Sequence, residues 1–81
     1  MLDLWIEKLR EEYTHRYVAV QGDRPEYRRF QGRIGQVKAI SMNGRALVQW
    51  TDSADRAWYD LDLDFLRIVD RPRIHPHPPT E

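Results

Sequence analysis

The sequence contains no cysteine. Disulfide staples, thiolate metal centres and cysteine nucleophiles are therefore excluded. An excess of one charge is missing too: 13 Lys and Arg offset 13 Asp and Glu, for a formal net charge of zero. That balance is not the signature of a strongly basic nucleic-acid binder or of an acidic disordered tail. No apolar run approaches the roughly 18 residues of a membrane span. The start, Met1-Leu2-Asp3-Leu4-Trp5-Ile6-Glu7-Lys8, reaches an acid before any long apolar stretch and does not read as a secretory leader. A cytoplasmic protein with no membrane partner is expected.

Catalytic equipment is sparse. Ser41 and Ser53 are the serines and Thr14, Thr51 and Thr80 the threonines, and none sits in a nucleophile elbow. No G-x-G-x-x-G or Walker loop occurs. With 81 residues there is room for one small domain, and large clefts, doubly wound sheets and eight-fold βα barrels are excluded by size. No enzyme activity and no cofactor are expected.

What the chain does have is apolar mass, 41% of residues, with three Trp and four Tyr, enough to fold. Residues 3–13 read as a short amphipathic helix capped by Asp3. Leu2, Trp5, Ile6, Leu9 and Tyr13 recur at helical spacing. Three turns do not stand alone in water, so this stripe must dock, on the rest of the domain or on a partner. After residue 16 the period changes to two. Tyr17–Val20 is a β-branched and aromatic run, and Gly22 and Pro25 break the loop that follows. Tyr27–Ile34 has no clear period. Gly35–Ser41 and Arg45–Thr51 flank Asn43-Gly44, a type I′ hairpin signal. Ala46, Val48 and Trp50 alternate onto one face. Arg56–Leu61 and Leu66–Val69 complete five strands, with one tight helical turn at 62–65 between them. Residues 71–81 hold Pro72, Pro76, Pro78 and Pro79 and form a proline-rich tail expected to be extended or flexible.

The run Gln31-Gly32-Arg33-Ile34-Gly35-Gln36-Val37-Lys38-Ala39-Ile40, followed by Asn43-Gly44-Arg45-Ala46-Leu47-Val48-Gln49-Trp50, resembles the KOW motif. Gly32, Gly35, Val37, Gly44 and Val48 stand where that family has glycine, glycine, valine, the glycine of the turn and the alternating strand. Tyr17–Val20 stands for the preceding strand. The match covers residues 17–51. The resemblance implies an SH3-like β-barrel of the kind found in ribosomal proteins and transcription elongation factors. Contact with RNA or with a ribonucleoprotein is implied with it. The hairpin tip lacks the family's lysines, with Arg45 its nearest charge, and the helix and tail are additions.

Neutral overall charge conceals an asymmetry. Residues 16–45 hold seven cations against Asp23 and Glu26, a net of +5. Residues 46–70 hold Arg56 and Arg67 against six Asp, a net of −4. Eleven of the 13 cations are Arg, whose planar fork suits phosphates and whose face stacks on rings. Tyr27-Arg28-Arg29-Phe30 interleaves both elements of single-strand recognition. Arg24, Arg28, Arg29, Phe30, Arg33 and Arg45 are thus the candidate RNA-contacting residues. The plainer reading is that these Arg pair with surface Asp. Nearly level is a protein-interaction or accessory-subunit role through Trp58 or Tyr59, or through the Trp5 helix. Trp50 is expected in the core, and only one of Trp58 and Tyr59 can face outward, since neighbours on a strand alternate.

Metal readings fail on spacing. Counted from Asp60, the sixth and twelfth positions of an EF-hand loop hold Phe65 and Arg71 instead of Gly and Glu. His75-Pro76-His77 offers only two imidazoles, and zinc prefers four ligands. His15 stands where the helix dipole favours a cation. The expectation is therefore a mainly β, SH3-like barrel of about five antiparallel strands over residues 16–70. With helix 3–13 it forms one domain, 1–70, a monomer or weak homodimer without a metal. The expected core is Leu9, Val18, Val20, Ile34, Val37, Ile40, Val48, Trp50, Leu61, Leu63, Phe65 and Ile68.

Overall fold

The computed structural model describes residues 4–52 and 54–72. Residues 1–3, with Leu2 of the expected stripe and the expected cap Asp3, lie outside the described residues, as do Ser53 and residues 73–81, with the histidine pair and most of the tail. Helix α1 runs Leu4–Tyr13, as its apolar spacing predicts. It ends in a left-handed residue, His15, at φ 69°, and the His15 N–H leaves the helix to bond the Val37 carbonyl at 2.8 Å. A helix terminus thereby becomes a tie to the sheet.

The strands are β1 (Tyr17–Val20), β2 (Ile34–Ile40), β3 (Ala46–Trp50), β4 (Tyr59–Leu61) and β5 (Leu66–Val69). They form one antiparallel sheet in the order β4-β3-β2-β1-β5. Two 3-10 turns interrupt it, η1 (Pro25–Phe30) between β1 and β2 and η2 (Leu63–Phe65) between β4 and β5. The edge strands meet in the core: Leu61 of β4 and Leu66 of β5 belong to one buried cluster with Val18, Val37, Val48 and Trp50. The sheet is not closed into a barrel, for β4 is only three residues long and η2, not a ladder, joins it to β5.

Period-two alternation holds on β3, where Ala46, Val48 and Trp50 are buried. On β2 it is interrupted. The pairing jumps from Val37↔Val48 to Ala39↔Leu47, leaving Lys38 as the extra residue of a bulge. The phase resets there, so Val37 and Ile40, three apart, both face the core. The hairpin beyond is not type I′. Gly44 has φ 82°, but Asn43 does not have positive φ. The Gly44 N–H reaches the Ser41 carbonyl and the Ser41 N–H the Arg45 carbonyl, giving a three-residue loop with its left-handed glycine last.

The core differs from expectation at identifiable places. Val18, Val20, Val37, Ile40, Val48, Trp50 and Leu61 are buried, and Leu9, Leu63 and Ile68 pack against them. Ile34 and Phe65 are half-buried, while Ile6, Phe30, Ala46 and Leu66 are buried in addition. The helix turns Ile6 inward more deeply than Leu9. Among the described residues no helix is long and apolar enough to cross a membrane.

Gly35 is buried without a left-handed φ, and a Cβ there would overlap Val48 Cγ1 and press on the Trp50 ring. Gly35→Ala should destabilise the fold by about 1–3 kcal/mol, the usual overpacking penalty, read as a lowered urea midpoint at unchanged slope. His15→Gly should raise stability by about 0.5 kcal/mol, since the left-handed penalty removed exceeds glycine's entropy in the unfolded chain.

Candidate functional site

The β1–β2 connection carries the arginines. Pro25 starts η1, and Arg24 before it is extended, as a residue preceding proline must be. A 3-10 helix has three residues per turn, so residues three apart share a side. Tyr27 and Phe30 therefore point together onto the sheet, and Arg28 and Arg29 stay exposed. Phe30 stacks on Trp50 with centroids 4.9 Å apart and meets Tyr59 edge-on at 5.5 Å. Tyr27 meets Phe65 edge-on at 5.6 Å, and its hydroxyl accepts the Asp62 N–H.

One of the expected contact residues lies in the core. Phe30 is only 4% exposed and presents no free face to a nucleic-acid base. The rings of this segment are core, and guanidiniums lie on them instead. Arg24 sits 4.7 Å from the Phe65 ring centre, Arg29 4.6 Å from Phe30 and Arg33 5.1 Å from Trp50. Since Phe65, Tyr27, Phe30 and Trp50 touch in succession, the three arginines roof one continuous aromatic cluster.

Their remaining edges differ. Arg24 pairs with Glu26 at 2.8 Å, and Arg33 with Asp52 at 3.2 Å. A backbone hydrogen bond and then Arg24 hold the Glu26 carboxyl below its ordinary range. Arg28 and Arg29 are exposed and make no ion pair among the described residues.

Arg45 belongs elsewhere. It pairs with Asp60 and lies 3.9 Å from Asp62, and the Asp60 bond raises its pKa. It lines a groove of about 510 Å³ between α1, the hairpin turn and η2. Trp5, Leu9 and Tyr13 form the helix wall, and Asp62, Leu63 and Asp64 the facing one. Trp5 is 58% exposed, yet its ring lies against Gly44, where a Cβ would collide with it. Trp5 and Arg45, taken from different functional readings of the sequence, thus share one groove. Nothing local in the sequence marks this, because the turn and the helix meet only through the fold.

Trp58 is 54% exposed and Tyr59 half-buried, so one of the two faces outward. Trp58 does not line the groove, so Trp5 and Trp58 are separate surfaces. Tyr59 donates its hydroxyl to Asp55. Asp60, Asp62 and Asp64 do not share one element. Asp60 is on β4, whereas Asp62 caps η2 by accepting the Asp64 N–H. No group of three or more His, Asp or Glu side chains is placed to hold a metal ion among the described residues.

The Tyr59–Asp55 bond gives a pH test. The Tyr59 hydroxyl, then the Ala57 N–H, lower the Asp55 pKa from 3.8, and Asp55 raises the Tyr59 pKa from 10.0. A lowered carboxyl pKa stabilises the fold above the unfolded value and is lost as pH falls through the folded one. A raised phenol pKa stabilises below the unfolded value and is lost as pH rises through the folded one. Tyr59→Phe should move the Asp55 pKa back toward 3.8 in a carboxyl NMR titration. It should also shallow both the acid and the alkaline loss of stability.

No family model matches the chain, and no significant match was found among curated proteins or solved structures.

Proposed function

We propose that this chain is a non-catalytic binding module that contacts RNA or a ribonucleoprotein through the arginine roof over η1. The observation that carries the reading is the fixed display of guanidiniums. Arg24, Arg29 and Arg33 are each laid on a ring of one aromatic cluster, and Arg28 and Arg29 have no ion pair among the described residues. A guanidinium held by its face keeps its N–H edge for a phosphate and loses little freedom on binding. The contact is to backbone phosphates rather than bases, because Phe30 is buried.

A KOW-like, SH3-like fold, its sheet open between β4 and β5, is the finer fold within this proposal. It is supported by the strand order, by edge strands that share one core, and by left-handed backbone at Gly32 and Gly44 of the motif. A cytoplasmic setting, where RNA is met, belongs to the same reading. A second reading, a protein-interaction module, draws on Trp58, exposed beside the short edge strand β4.

Titration with a mixed-sequence single-stranded RNA at several salt concentrations tests the proposal. The slope of log affinity against log salt should be about −0.7 per phosphate neutralised. Arg28→Gln with Arg29→Gln should weaken binding at least tenfold at low salt and flatten that slope, whereas Arg45→Gln should change neither. Affinity independent of salt, or untouched by the double substitution, refutes the proposal. Retained capture of a protein by wild type, lost in Trp58→Ala, would favour the second reading.

A further inference from the structure

The groove beside α1 has two walls of different chemistry. Trp5, Leu9 and Tyr13 recur every four residues, so they form one largely aromatic wall along the helix. Asp62, Leu63 and Asp64, around η2, face it across a space of about 510 Å³. That is the size of a site that takes a compact ligand.

Its charge is one-sided once the ion pairs are assigned. Arg45 is the one cation among the described lining residues. Its Nε bonds the Asp60 carboxylate, its Nη2 lies 3.5 Å from the Asp60 carbonyl and its Nη1 lies 3.9 Å from the Asp62 carboxylate. All three guanidinium nitrogens are thus turned to Asp60 and Asp62. Asp64 is exposed and makes no ion pair among the described residues. Three carboxylates stand against one guanidinium, so the charge left over at the groove is negative. The same balance turns a phosphate away, and the arginine roof and the groove therefore select opposite charges.

A carboxylate rim facing an aromatic wall fits a basic side chain. Lysine and arginine lay their methylene stems on apolar surface and keep the charged head at its edge. The head is drawn to ring faces as well as to carboxylates. We propose that the groove is a docking site for a basic peptide segment of a partner protein. Apolar neighbours of its lysine or arginine rest on Trp5, Leu9 and Tyr13, and the cationic head meets Asp64. The site uses neither Arg28 nor Arg29 and is independent of the RNA reading.

The full chain is titrated with the blocked pentapeptide Gly-Leu-Lys-Leu-Gly and followed by amide and indole NMR. Two counterparts carry norleucine or glutamate in place of the lysine. Saturable shifts are expected with the lysine peptide at the Trp5 indole, Gly44, Leu63 and Asp64. Norleucine should bind more weakly and glutamate not at all. Asp64→Asn, an exposed change that spares the fold, should weaken the lysine peptide about threefold and leave the norleucine peptide unchanged. Arg45→Gln should act the other way. It releases Asp60 and Asp62 and should tighten the lysine peptide about threefold, a gain that a damaged fold does not imitate. Four results would overturn the proposal. One is no shift at these positions with the lysine peptide. The second is equal shifts with all three peptides. The third is an affinity indifferent to both substitutions. The fourth is the same shifts on concentrating the chain without peptide, which would make a second copy the occupant.

Discussion

One close approach underlies the structure: the backbone of Gly35 against Trp50. A side chain at Gly35 would overlap Val48 and push on the indole. With hydrogen there instead, Trp50 is only 2% exposed. The buried indole then becomes the floor for Phe30, and Phe30 anchors η1, Tyr27 and the arginines around them. The Trp50 indole N–H finds no hydrogen-bond acceptor among the described residues. Leaving a buried donor unmet costs about 1–3 kcal/mol. The Phe30 ring stacked on the indole and the Tyr59 ring beside it offset that cost.

The 3-10 period of η1 sorts its residues by chemistry. In Pro25-Glu26-Tyr27-Arg28-Arg29-Phe30 the aromatics are three apart and the arginines lie between them. An extended path through the same letters would put Tyr27 and Phe30 on opposite sides. Here the rings go in and the cations stay out, and Arg24 and Arg33, just beyond the turn, close over neighbouring rings. Ion pairs then divide the arginines. Those to Glu26 and Asp52 are exposed surface pairs of small energetic weight, yet they occupy the forks that a phosphate would use.

The other face of the molecule is organised by α1. Ten residues do not hold a helix in water, and this one is secured at several points. Ile6 is buried, the His15 N–H joins β2, and the Trp5 ring lies on the glycine of the hairpin turn. Docking at its ends and beneath leaves one flank of the helix apart from η2, and that separation is the groove. The arginine roof and the groove are neighbours, since Tyr27 packs in the aromatic cluster while its hydroxyl serves the Asp62 backbone.

Local rules were enough for several elements. Strands β1 and β5 stand where β-branched runs place them, the turn at η2 falls within the expected 62–65, and Trp50 is buried as the alternation on β3 requires. Each of these depends on residues a few positions apart, and the sequence displays those directly. Other features depend on partners far along the chain. Lys38 is a bulge only because β3 fixes its register, and Phe30 is core only because Trp50 and Tyr59 wait for it. In isolation Tyr27-Arg28-Arg29-Phe30 is equally a binding loop or a core segment. Trp5 and Arg45 share a groove only because the helix folds back on the hairpin. Periodicity and turn chemistry are local and so were carried by the sequence alone. Which side of each element is covered is a property of the packed whole, and only the tertiary structure decided it.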